Sequence, residues 1–145
     1  MGGQNYYRAE GGFSQYLYQH VGEAFEMNGL RVKIVEKIGT KDHHEGLPLF
    51  SKTSDVYLKI ARGSTTGEIE QARIMKDRHA FMDLDWGHQH IKGSKFVKGK
   101  VHVHFYELKN GTYVKNEKKS RFMNNKEMKL YGSIIHKVAP HAKFR

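Results

Sequence analysis

At 145 residues, with 38% hydrophobic and 12% aromatic residues, the chain has the length and apolar content of one folded domain and is too apolar to be wholly disordered. It has no cysteine, which excludes disulfides, thiolate metal sites and a cysteine nucleophile. Its net charge of +10 is lopsided: residues 1–72 hold 8 Lys/Arg and 9 Asp/Glu, a balance of −1, whereas residues 73–145 hold 17 and 6, a balance of +11. Such a basic half attracts polyanions in a salt-dependent way, nucleic acid being the commonest. Neither a signal peptide nor a spanning helix is expected, because the start lacks an apolar run and no later stretch approaches about 18 apolar residues. The expectation is a soluble protein with no membrane partner, acting in the cytoplasm and, where delivered from outside, carried as part of a longer secreted chain.

Phe13, Tyr16, Leu17, His20, Val21, Ala24 and Phe25 recur at three- and four-residue spacing, and Gly29 follows where a left-handed cap would fall. This pattern predicts an N-terminal helix. Leu30 to Glu36 alternates apolar and charged residues and predicts a strand with one buried face. Gly39 to Ser54 carries Gly, Pro and two histidines with little periodicity, and reads as a long functional loop. Val56, Leu58 and Ile60 alternate with Asp55, Tyr57 and Lys59, and the Gly63 to Gly67 turn leads back through Glu68 to Met75 as a hairpin.

From Phe81 to Trp86, alternation sets Met82, Leu84 and Trp86 on one face, with Asp83 and Asp85 on the other. Val101, Val103 and Phe105 likewise oppose His102, His104 and Tyr106. Asn110-Gly111 turns the chain into a short strand near Thr112 to Lys115. Asn124 and Glu127 have capping-box spacing, flanked by Met123 and Met128, and the stripe Met128, Tyr131, Ile134, Ile135, Val138 predicts a final helix to about Pro140. The expected fold class is α+β: a single domain over residues 1–145, its mainly antiparallel sheet packed on one face by an N-terminal and a C-terminal helix.

Two His-x-His pairs, His88-Gln89-His90 and His102-Val103-His104, lie in the basic half. Imidazole exchanges its proton near neutrality, so clustered histidines beside many cations point to acid-base chemistry on an anion or to a metal site. Period two places His102 and His104 on one face, expected to be the open side of the sheet. His88 and His90 follow Trp86, and the Lys92 to Lys100 connection returns the chain toward His102, so the two pairs are expected to meet.

Three chemistries suit them. Metal-independent RNA cleavage needs a base for the 2′-hydroxyl, an acid for the departing 5′-oxygen and a cation for the phosphorane. His102 or His104 with His88 or His90 supplies the pair, and Arg73, Lys100 and Arg121 are the expected phosphate-binding cations. Alternatively the imidazoles hold Zn2+ or another transition ion, with Asp83 or Asp85 as a carboxylate ligand, in a metal-dependent hydrolase. The third option is phosphate binding without chemistry. His43-His44-Glu45, His79, His20 and the tyrosines Tyr6, Tyr7, Tyr16 and Tyr18 are weaker candidates, each equally explained by turns, packing or solvation.

The stretch Arg121-Phe122-Met123-Asn124-Asn125-Lys126-Glu127, through Tyr131-Gly132 to Lys143-Phe144-Arg145, together with Val101-His102-Val103-His104, resembles the end of small toxin domains attached to bacterial polymorphic toxins and some prophage proteins. The likeness covers the last half of the chain. Many such domains resemble ribonucleases of the barnase, colicin and RelE type, with helices packed on an antiparallel sheet that bears His, Arg and Lys on its open face. The resemblance therefore implies RNA as substrate and an acidic immunity protein as partner. It assigns no particular role among His88, His90, His102 and His104. The expected function is a metal-independent endoribonuclease of the toxin type that needs no cofactor; the alternatives are a non-enzymatic nucleic-acid-binding accessory protein and the histidine-ligated hydrolase.

Overall fold

The computed structural model describes residues 6–8, 17–37, 47–61, 64–87 and 98–144. Nine strands precede one helix: β1 (Tyr6–Arg8), β2 (Leu17–His20), β3 (Phe25–Met27), β4 (Leu30–Lys37), β5 (Val56–Ile60), β6 (Ile69–Lys76), β7 (His79–Asp85), β8 (His102–Lys109), β9 (Thr112–Phe122) and α1 (Asn125–Val138). They form one sheet in the order β1-β2-β4-β5-β6-β7-β8-β9, with β3 sharing the β2 edge of β4. Every pairing is antiparallel except β4 with β5.

The expected N-terminal helix is overturned. Leu17–His20 is β2 and Phe25–Met27 is β3, so the fold is mainly β with a single C-terminal helix among the described residues, not a sheet covered by two helices. Gly22 has φ 73°, and Asn28 and Gly29 have φ 54° and 76°. Such left-handed positions interrupt a right-handed helix. Gly29 is no helix cap; with Asn28 it makes a two-residue hairpin turn in which Met27 pairs Leu30. The same turn chemistry recurs at Asp77-Arg78 and Asn110-Gly111, where positive φ at both central residues matches the twist of the flanking strands.

One face of the sheet is the main core. Val32, Val56, Leu58, Ala72, Ile74, Met82, Leu84 and Val103 pack with Trp86, Met123 and the helix residues Ile134 and Ile135. The helix starts as its sequence requires: the Asn124 side chain accepts from the Glu127 amide at 2.8 Å, and the Glu127 carboxylate accepts from the Asn124 amide at 2.9 Å. Arg121 clamps the same carboxylate with two bonds of 2.7 Å, fixing the end of β9 to the first helical turn. Asn28 ties the far edge down by donating to Ser133 Oγ at 2.7 Å. Among the described residues, no helix is long and apolar enough to cross a membrane.

The opposite face carries polar side chains, and they too are buried: Gln71, Arg73, Asp83, Asp85, His102 and His104. Tyr57, Val35, Leu47 and Met75 make a second, smaller apolar cluster. Strand β9 extends to Phe122, well past the expected end near Lys115. Between Arg121, which pairs Val103, and Asn116, which pairs Phe105, five residue steps on β9 face two on β8, so β9 carries three extra residues opposite His104. Bulges of this kind re-aim side chains and are common beside functional sites.

Candidate functional site

Register assembles the polar face. Asp85 lies directly across from His102, and Asp83 from His104. On the next strand Gln71 pairs Asp85 and Arg73 pairs Asp83. Alternation sends all six to the side opposite Leu84 and Val103, as the period-two pattern requires.

Asp83 is the centre of one group. Arg73 Nε donates to its Oδ1 at 2.7 Å and Arg73 Nη2 to its Oδ2 at 3.0 Å; Gln71 Nε2 and the Tyr106 hydroxyl donate to Oδ2 at 2.8 Å and 2.7 Å. Lys115 Nζ stands 3.2 Å from the same oxygen. Arg73 also reaches the Leu47 and Pro48 carbonyls and the Tyr106 hydroxyl. Burial alone would raise the Asp83 carboxyl, but the Arg73 charge and bonds, Lys115 and Tyr106 outweigh it and hold the group well below the usual carboxylate range.

The second group is Asp85, His102 and His104, whose potential metal-binding atoms all lie within 4.8 Å of one another. The two imidazoles meet edge to face, with centroids 4.9 Å apart. His102 Nδ1 is 3.3 Å from the Lys100 carbonyl oxygen. That oxygen can only accept, so in the neutral ring the proton is on Nδ1 and the lone pair on Nε2. His104 Nδ1 is 2.7 Å from Ser120 Oγ, a residue delivered by the β9 bulge. Asp85 Oδ1 accepts from the Gly87 amide at 3.3 Å.

The structure thus brings His102 and His104 together with Asp85, but not on an open face: the rings are 0% and 1% exposed. His88 and His90 lie outside the described residues, as do His43, His44, Glu45 and Tyr16. An in-line displacement sets base and acid on opposite sides of phosphorus. Rings in edge contact leave no room for a phosphate between them, so His102 and His104 are not themselves such a pair.

The three expected phosphate cations part company. Arg73 is 3% exposed and committed to Asp83. Arg121 is held by Glu127, whose hydrogen bond, with its charge, raises the guanidinium pKa against partial burial, and the group lies over the Phe105 ring. Lys100 sits beside the imidazoles: its carbonyl faces His102, and its ammonium lies over Phe122, the cross-strand neighbour of His102. Of the weaker candidates, His79 begins β7 and stacks on Tyr113, and His20 lies in β2. Sequence reading missed Gln71, Lys115 and Ser120. Strand alternation could have found Gln71; nothing in the sequence signals the bulge that brings in Ser120.

The sequence matches no family model, no characterised protein and no solved structure.

Proposed function

We propose that this chain acts on RNA as a phosphodiester-cleaving protein of the toxin type, with chemistry centred on His102 and His104. The observation that carries the reading is the convergence of these imidazoles with Asp85 on the neighbouring strands β7 and β8, in the half with a balance of +11. An imidazole oriented by a carboxylate or hydroxyl is a competent proton carrier near neutral pH, and exposed cations hold the polyanion. Lys100, whose carbonyl oxygen contacts His102 and whose ammonium lies over Phe122, is the cation assigned to a phosphate near the cluster.

Incubation of the purified protein with total RNA tests it. Cleavage is expected, and His104→Ala lowers the rate by about 10²-fold or more. Fragments ending in 2′,3′-cyclic phosphate in EDTA support acid-base cleavage without metal; cleavage only on adding a divalent ion supports the hydrolase reading.

A second reading, nucleic-acid binding without turnover, is favoured by a different observation. His102 and His104 are buried and Arg73 and Arg121 are ion-paired, whereas Lys76, Lys98, Lys109, Lys119, Lys129 and Lys143 are exposed. Under it, RNA binds in a salt-sensitive way, stays intact, and is indifferent to histidine substitution.

A further inference from the structure

We infer that Asp85, His102 and His104 form a binding site for a divalent first-row transition ion of the Zn2+ type. Two imidazoles and one carboxylate are a donor set for such ions, and the absence of thiolates removes soft-metal preference. Tetrahedral donors at roughly 2.1 Å from one ion stand about 3.4 Å apart, so an edge of the cluster as wide as 4.8 Å closes by about 1.4 Å on binding. Rotation of the three side chains about χ1 and χ2, on β7 and its neighbour β8, supplies that.

The surroundings favour the same assignment. A metal-binding histidine ordinarily donates its second ring nitrogen to a carbonyl, carboxylate or similar acceptor, which fixes the tautomer and strengthens the ligand. The Lys100 carbonyl oxygen and Ser120 Oγ occupy that position on Nδ1 of His102 and His104; the carbonyl leaves Nε2 of His102 as the ligand atom, and Ser120, which can accept from His104 Nδ1, allows the same of His104. The two neighbouring carboxylates differ in the same sense. Asp83 is consumed by Arg73, Gln71, Tyr106 and Lys115. Asp85 is the one that lies with the imidazoles, and a divalent cation offsets the cost of its burial. Three protein ligands leave a coordination position for water or a phosphoryl oxygen, so the bound ion supplies Lewis-acid chemistry. That role in turnover rests on the RNA-cleavage reading in its metal-dependent form, since a coordinated imidazole no longer carries a proton; the binding itself does not.

The test uses the full chain, treated with EDTA, dialysed and titrated with Co2+ alone. A visible d–d spectrum is expected, abolished by Zn2+ in competition. His102→Asn, His104→Asn and Asp85→Asn, each checked for folding by circular dichroism, lose it. Ser120→Ala, which touches a ring from outside the cluster, weakens binding by about tenfold or more. Should the ligand variants fail to fold, X-ray absorption of the wild-type protein with Zn2+ decides: scattering from two imidazoles and a carboxylate oxygen is required. Folded wild type that takes up neither ion, or Zn2+ bound without imidazole scattering, overturns the site. RNA cleaved fully in EDTA by protein that takes up no ion removes the metal and keeps the ribonuclease; Zn2+ bound through both imidazoles with RNA left intact does the reverse.

Discussion

Asp83 and Arg73 show what a buried charge requires. Each is almost wholly removed from water, and each keeps its charge because the partner and the surrounding hydrogen bonds replace hydration. Removing one partner strands the other: Asp83→Asn is expected to cost about 3–5 kcal/mol in urea unfolding. The double replacement Asp83→Leu with Arg73→Met is expected to recover part of that loss, because it removes both members of the buried pair while Gln71, Tyr106 and Lys115 still lose their acceptor. A double-mutant cycle that finds the single changes simply additive refutes this account. His20 supplies a milder effect of the opposite charge type. Burial, and then the Lys33 charge, lower its pKa below 6.5, so the folded state disfavours its protonation. Its contribution is present above 6.5 and is lost as pH falls through the folded value, and His20→Gln is expected to flatten the stability profile in that window.

Turns and caps decide the elements. The Asn28-Gly29 hairpin needs positive φ at both positions, so Gly29→Ala is expected to destabilise by about 1 kcal/mol although the added methyl meets no neighbouring atom. At α1, Asn124→Ala removes the cap to the Glu127 amide and is expected to cost about 1 kcal/mol. Glu127→Gln separates two jobs of one side chain: it can still accept from the Asn124 amide but loses the charged pair with Arg121. Thermal melts that rank Glu127→Gln below Glu127→Ala in stability contradict this division. The capping box was legible because helix starts are written in four consecutive residues. The N-terminal strands were not, since apolar residues at three- and four-residue spacing in a short segment fit a helix until Gly22 and Asn28-Gly29 are weighed as breaks.

Across the whole molecule, charge and chemistry occupy different depths. The exposed lysines of the second half face solvent, while the titratable cluster lies inside the sheet. Nucleic-acid affinity is therefore expected to fall steeply with salt, with a log–log slope near −0.7 per phosphate neutralised for single strands. Paired reversals such as Lys119→Glu with Lys109→Glu, on residues 71% and 65% exposed, are expected to weaken binding, with a small loss of stability because both lysines pair with Glu107. A slope near zero in a titration of an RNA oligonucleotide refutes the polyanion reading. By itself the sequence determined what is local and periodic: the alternation that puts Asp83, Asp85, His102 and His104 on one side of their strands, the final helix with its cap, and the basic second half. Only the tertiary structure decided which of those groups meet and whether water reaches them. Register between strands sets Asp85 against His102, the three extra residues of β9 bring Ser120 to His104, and burial commits Arg73 to Asp83 rather than to a ligand. Pairing and enclosure depend on residues far apart in the chain, and no period in a single strand encodes them.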